Sequence, residues 1–189
     1  MLAALRPLLL ALLLAPLIAC QGAGPTRAAN PDGATPAHVG GYALLDQLMA
    51  KQAQVGMLLM IKDETPQVGA IIKAIAQSCG EAHQQLKNFA TIDPALKLDI
   101  DPLPAIDRRT RDLIEATSRG ELLSQSGSEF ELALLLTQVR SMQYGSHLAR
   151  AIAEVDDNET RKAFLGKLSE ELAGHQDAVT ALLQRRASP

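Results

Sequence analysis

Residues 65–89, TPQVGAIIKAIAQSCGEAHQQLKNF, decide the fold of this chain. Large side chains recur here every three or four residues, which is the spacing of one face of an α-helix. A threonine followed by a proline predicts that the helix begins at Pro66. The stretch therefore predicts a long amphipathic helix over 66–91. Its inward stripe is Val68, Ile72, Ile75, Cys79, Leu86 and Phe89.

Three other segments show the same pattern and predict helices over 41–63, 128–155 and 159–186. Ser128 and Glu131 have the spacing of a capping box at the start of the second of these. Short joins make the first two and the last two predicted helices antiparallel neighbours. Their predicted inward stripes are Leu45, Leu48, Gln52, Val55 and Leu59; Phe130, Leu134, Thr137, Ser141, Tyr144, Leu148 and Ile152; and Phe164, Leu168, Glu171, His175, Val179 and Leu182.

A long crossover separates the two predicted hairpins. Residues 92–104 contain three prolines, which break the helical pattern. A shorter helix with a weak apolar stripe is predicted over 105–123, on the surface. Two antiparallel hairpins joined by a long crossover are typical of ferritin-like bundles. The predicted fold class is all-α: a ferritin-like antiparallel four-helix bundle with a short extra helix between helices 2 and 3.

The N-terminus predicts a lipid anchor. Arg6 precedes an apolar run over 8–19, and Leu17-Ile18-Ala19-Cys20 resembles the lipobox of bacterial lipoproteins. This predicts a cleaved signal peptide over 1–19, lipidation of Cys20, a tether over 20–37 and a folded domain over 38–189. Gln21 after the cysteine resembles the sorting signal for the outer membrane, periplasmic leaflet. The alternative is a buried N-terminal helix that ends at a chance cysteine.

Charge and composition exclude one class of partner. Without residues 1–19, which carry only Arg6, 17 basic side chains face 21 acidic ones, and there is no tryptophan. Nucleic-acid binding needs basic patches and often stacking platforms, so no nucleic-acid partner is expected. Cys79 is the only cysteine besides Cys20, so no internal disulfide is expected.

A polar layer is predicted at the midpoints of the four long helices. It has two interpretations: a hydrogen-bonded layer that fixes helix register, or a metal site for copper(I), zinc or iron. The first interpretation implies no cofactor. A ferritin-type di-iron site is excluded because no histidine has an acidic residue three positions before it. The layer comprises Gln52, Cys79, Ser141, Met142, Glu171 and His175.

Residues 54–90, SGSEFELAL and ELAGHQDAV together resemble a ferritin-like four-helix family of bacterial envelope proteins of unknown function. The resemblance spans about residues 44–184. Members carry histidines on the second, third and fourth helices. Here Cys79 and Met142 stand at the first two of these positions, and only His175 matches.

Three functions follow as hypotheses. The first is a membrane-anchored, non-catalytic binding or structural module of the envelope. The second is a metal-binding or redox protein that uses Cys79, Glu171 and His175, with Met142 beside them. The third is an assembly protein that binds a protein partner on the 105–125 helix.

Overall fold

The computed structural model describes residues 37–187. Over this range the chain forms five α-helices, one 3₁₀ segment and no strand, which confirms the all-α prediction. The predicted signal peptide, Cys20 and nearly all of the tether lie outside the described residues. No helix within the described range is long and apolar enough to cross a membrane. The elements are α1 (Ala37–Ala53), the 3₁₀ segment (Val55–Met60), α2 (Pro66–Ile92), α3 (Ala105–Ser124), α4 (Gly127–Val155) and α5 (Glu159–Ala187).

Four of the helices enclose the core. Helix α1 packs against α2 and α4, while α5 packs against α4 and α2. Helix α3 lies outside this group and packs on α4. The prediction that the crossover helix lies on the surface is confirmed. The largest fully buried side chains include Tyr42, Leu45, Met49, Ile72, Ile75, Leu86, Phe130, Leu134, Met142, Leu165 and Leu172.

Helix α2 follows the sequence prediction closely. It begins at Pro66, and all six residues of its predicted stripe are buried. Thr65 is the N-cap, although its side chain makes no capping hydrogen bond. The edge of Phe89 also packs on Phe164 of α5, with the ring centroids 5.3 Å apart.

The first predicted helix, 41–63, is wrong at both ends. Helix α1 begins earlier, at Ala37, because its glycines permit a close approach rather than breaking the helix. A Cβ atom on Gly41 would lie 2.8 Å from Ile152 Cγ1 in α4. The helix ends at Ala53, and the chain continues as the 3₁₀ segment, where Gly56 lowers helix propensity.

The predicted capping box at Ser128 and Glu131 is also wrong. Ser126 is the N-cap of α4, and Gly127, with a φ of 55°, permits the tight turn from α3. Glu131 is buried and binds elsewhere: its carboxylate accepts hydrogen bonds from the Thr65 backbone N–H and from Arg186. It therefore joins the start of α4 to the start of α2 and the end of α5.

A buried ion pair closes the opposite end of the helices. Asp156, whose side chain is fully buried, accepts hydrogen bonds from the Tyr42 hydroxyl at 2.6 Å and from Arg161 Nε and Nη2, both at 2.8 Å. Its third donor is the Asn158 backbone N–H. Burial by itself raises the Asp156 pKa, but the hydrogen bonds outweigh it and lower the pKa to about 2.

This lowered pKa predicts a loss of stability in acid. The Asp156 carboxylate stabilises the fold fully above its ordinary pKa of 3.8, and the contribution disappears as the pH falls through about 2. At neutral pH the wild type should exceed Asp156→Asn in unfolding free energy by about 2 kcal/mol. Denaturant unfolding should show that this gap narrows between pH 4 and pH 2. Asp157→Asn, at the exposed neighbour, is the control. A gap of constant size would contradict the assignment.

Candidate functional site

The predicted polar layer does not form a single layer, because its members face different helices. Gln52 and Ser141 lie beneath α3. Cys79 is fully buried, close enough to Glu171 of α5 to feel its charge. Met142 is also fully buried, among core side chains.

Glu171 lies outside the core, contrary to the predicted stripe of the last helix. Its residue is exposed, and its carboxylate accepts a hydrogen bond of 2.6 Å from the Ser78 hydroxyl. The neighbouring Leu172 takes the buried position. Along α5 the buried side chains are Leu165, Leu168, Ser169, Leu172, Val179 and Leu182.

His175 is half-buried, and its Nε2 atom is buried without a hydrogen-bond partner. Burial lowers the pKa of the imidazole, and the nearby charge of Glu171 only partly opposes this shift. The ring is therefore a neutral imidazole over a wider pH range than an exposed histidine.

The metal-site prediction gains no support from the geometry. Burial, and then the charge of Glu171, raises the pKa of the Cys79 thiol to about 12, which disfavours the thiolate that binds metals. Within residues 37–187 no three His, Cys, Asp or Glu side chains form a group that could hold a metal ion. Copper, zinc or iron binding by Cys79, Met142, Glu171 and His175 stays a prediction.

A cavity beneath α3 is the site that the structure brings out most clearly. Leu122 is the only buried side chain of α3, and Ile106, Leu113 and Ile114 are exposed. Because α3 is held so loosely, a cavity of about 470 Å³ lies between α3, α4, the end of α1 and the 3₁₀ segment. We call it the α3 cavity. A second hollow of about 490 Å³ extends it beneath α3 and shares Leu48.

The lining of the α3 cavity is mostly apolar, with a few polar groups. Leu48, Val55, Leu58, Met57 and Leu122 supply apolar surface from three elements. Thr137 also lines the cavity, and its hydroxyl already donates a 2.9 Å hydrogen bond to the Ala133 carbonyl. A mostly apolar wall with a few polar groups is the usual composition of a small-molecule site.

Two glutamine side chains of the lining have buried oxygens without hydrogen-bond partners. These atoms are Gln52 Oε1 and Gln138 Oε1. Gln138 is 1% exposed, so bulk water does not compensate. A buried acceptor left unpaired costs roughly 1–3 kcal/mol, so both atoms favour a bound donor.

The sequence prediction included Gln52 but missed Gln138. The available signal was the spacing of Gln138, four residues after the buried Leu134 and four before the buried Met142. Residues at this spacing share a helix face. The predicted stripe instead ran through Thr137 and Ser141, which are only half-buried.

Charged side chains surround the mouth of the α3 cavity. Lys51 and Arg119 both pair with Glu115, and Arg111 donates a 2.6 Å hydrogen bond to the Tyr144 hydroxyl. Three basic side chains thus surround one acidic side chain, although the whole chain has a net charge of −3. The Arg111 guanidinium also lies over the Tyr144 ring, 5.1 Å from its centroid. The mouth is locally positive.

A larger hollow at the far end of the helices is a weaker candidate. Its volume is about 820 Å³, and it is lined by Thr65, Glu131 and Arg186 among others. These three side chains already form hydrogen bonds with one another or with neighbouring backbone. The α3 cavity, by contrast, contains acceptors whose needs are unmet.

Nothing matches this chain significantly among protein-family models, curated proteins or solved structures. The interpretation of the α3 cavity therefore rests on its own lining and charge.

Proposed function

We propose that this chain is a lipid-anchored protein of the bacterial outer membrane, facing the periplasm, whose helical domain is a non-catalytic binding module. The observation that carries the binding role is the α3 cavity, with its apolar wall and the two unpaired oxygens of Gln52 and Gln138. The lipobox-like sequence before Cys20 supports the anchor. Two or more acyl chains on one residue would hold the protein stably at a bilayer.

We also infer a ferritin-like four-helix bundle for the domain. Support comes from the contacts of α1 with α2 and α4, and of α5 with α4 and α2. The crossover from Asp93 to Pro104, together with α3, separates the two helix pairs as such a topology requires. This arrangement leaves α3 as an addition on the outside, and the α3 cavity lies where α3 meets α1 and α4.

Two features favour binding over catalysis. The Cys79 thiol is buried and has a raised pKa, which is opposite to what a nucleophilic or redox cysteine needs. His83 Nδ1 lies 2.7 Å from Asp46 Oδ1, as in a catalytic dyad, but the hollow beside this pair is lined by Lys87, Thr91 and Asp99 among others and contains no cysteine or serine. A structural or binding role fits both features.

A protein partner on the 105–125 helix is the second candidate function. Ile106 of α3 is 73% exposed, and Leu113 and Ile114 are more than half exposed. Exposed apolar side chains on a helix held mainly by polar contacts suit a docking surface. Arg108 and Arg109, on the same helix, would add charge to such an interface.

The anchor is tested by labelling cells with an alkyne-bearing fatty acid and then separating their membranes. The wild type should take up the label and reach the outer membrane, because Cys20 supplies the thiol to which acyl chains attach. Cys20→Ala should take up no label and be lost from the outer-membrane fraction.

Cys79→Ala is the matched control, because it removes the other cysteine and leaves the lipobox intact. It should be labelled and sorted as the wild type is. Label on Cys20→Ala, or outer-membrane sorting without Cys20, would overturn the proposed anchor.

A further inference from the structure

The two unpaired glutamine oxygens define what a ligand of the α3 cavity must offer. Gln52 Oε1 and Gln138 Oε1 are acceptors, so they select a molecule that carries an N–H or O–H donor. They lie on two different helices, α1 and α4, and both line the same cavity. A purely apolar molecule would fill the space and leave both oxygens unpaired.

The rest of the cavity sets the other two requirements. Its walls are mostly Leu, Val, Met and Ile side chains, which favour an apolar body. A volume of about 470 Å³ lies within the size range of small-molecule sites. The mouth carries Lys51, Arg111 and Arg119 against Glu115 alone, which favours an anionic head group.

We propose that the α3 cavity binds a small anionic amphiphile whose hydrogen-bond donor lies next to its head group, as in an N-acyl amino acid. The acyl chain lies against Leu48, Val55 and Leu58. The amide N–H donates to one of the two glutamine oxygens, and the carboxylate lies at the basic mouth. This inference rests on the proposed binding function and names the ligand class for the same site.

Helix α3 covers the proposed ligand. Besides Leu122, its attachment consists largely of exposed polar contacts, such as Lys51 to Glu115 and the Lys62 ammonium to the Leu123 and Gln125 carbonyls, both at 2.7 Å. Surface pairs of this kind contribute little stability, so α3 can open at low cost. An amphiphile can then enter without unfolding of the four core helices.

A matched pair of probes isolates the hydrogen bond. N-decanoylglycine has an amide N–H, whereas N-decanoylsarcosine has a methyl group in place of that hydrogen and is otherwise identical. Calorimetric titration of the full-length protein in lipid nanodiscs, with empty nanodiscs as background, should show about tenfold weaker binding of the sarcosine compound. Equal affinities would overturn the proposal.

Variants assign this preference to the two glutamines. The double variant Gln52→Met/Gln138→Met keeps the side-chain volume and removes both oxygens, so it should bind the two probes equally. Gln143→Met, at an exposed glutamine of α4, should keep the preference. A preference retained in the double variant would overturn the proposal. If the double variant fails to fold, the probe pair on the wild type still decides.

The basic mouth is tested separately. Arg119→Glu should weaken both decanoyl compounds by about threefold, because the Arg119 side chain is exposed and its charge is screened. It should leave the ratio between them unchanged. Unchanged affinity would overturn the anionic part of the ligand assignment.

A neutral probe separates the failure of this inference from failure of the binding function. N-phenyl-1-naphthylamine, whose fluorescence rises in apolar surroundings, reports whether the α3 cavity takes up any small molecule. Uptake of this probe without binding of either decanoyl compound would overturn the ligand class and leave the binding function standing. No uptake of any of the three would overturn both.

Discussion

Arg161→Ala should lower the free energy of unfolding by about 3–5 kcal/mol, because it leaves a buried carboxylate without its counter-charge. Arg161 donates two hydrogen bonds to Asp156 and a third, of 2.9 Å, from Nη1 to Asp93 Oδ2. Its own side chain is only 14% exposed, so water cannot easily replace it. Chemical denaturation followed by circular dichroism measures the loss.

Arg150→Ala is the matched control, since Arg150 is an exposed arginine on α4. Its unfolding free energy should stay within about 0.5 kcal/mol of the wild type. The double variant Arg161→Ala/Asp156→Asn should regain part of the stability, because the two residues belong to one network. An Arg161→Ala loss no larger than that of Arg150→Ala would show that Asp156 is solvated.

Leu172→Ala should destabilise the protein by about 2–5 kcal/mol, whereas Glu171→Ala should cost less than about 1 kcal/mol. Leu172 is fully buried, and its Cδ1 atom lies 3.0 Å from the position that a Cβ on Gly145 would occupy. Helices α4 and α5 therefore meet closely at this level, and truncation leaves a cavity that they cannot readily close. Thermal unfolding of the two variants side by side measures the difference.

The pair also discriminates between the two assignments of the α5 core face. If the predicted stripe through Glu171 described the helix, Glu171→Ala would be the more damaging change. Glu171→Gln is a useful third variant, because it keeps an acceptor for the Ser78 hydroxyl and removes the charge. It should behave like the wild type in stability.

The sequence predicts a helix best where its apolar face is narrow and regular. Helix α2 is the clearest example: Val68 to Phe89 recur on one face, and every residue of the predicted stripe is buried. The start at Thr65 and Pro66 is also readable, because proline fixes the backbone of the first turn. Here local pattern and tertiary burial require the same residues.

Helices α4 and α5 are harder to predict because more than one face of each is covered. Helix α4 packs against α1, α3 and α5, so its buried set is broad and includes Glu131, Gln138 and Ser146. A stripe drawn at a spacing of three and four can then pass through half-buried positions such as Thr137 and Ser141. No local signal distinguishes these positions from Gln138.

The α3 cavity is predictable only in part, for a physical reason. Gln52 stands out in the sequence as a polar residue in an apolar stripe, but an unpaired buried oxygen is a property of the surroundings. Whether Gln138 finds a partner depends on how closely α3, far along the chain, packs on α4. The weak apolar stripe of α3 does indicate loose packing, and only Leu122 of that helix is buried.

The hydrogen bond from Tyr42 to Asp156 also determines how the domain responds to mechanical force. Tyr42 lies in the second turn of α1, near the point where the chain enters the described domain, and Asp156 lies between α4 and α5. A pull on the segment before residue 37 is therefore shared with both C-terminal helices almost at once, instead of peeling α1 away alone. The first helix is attached most firmly at the end where tension would arrive.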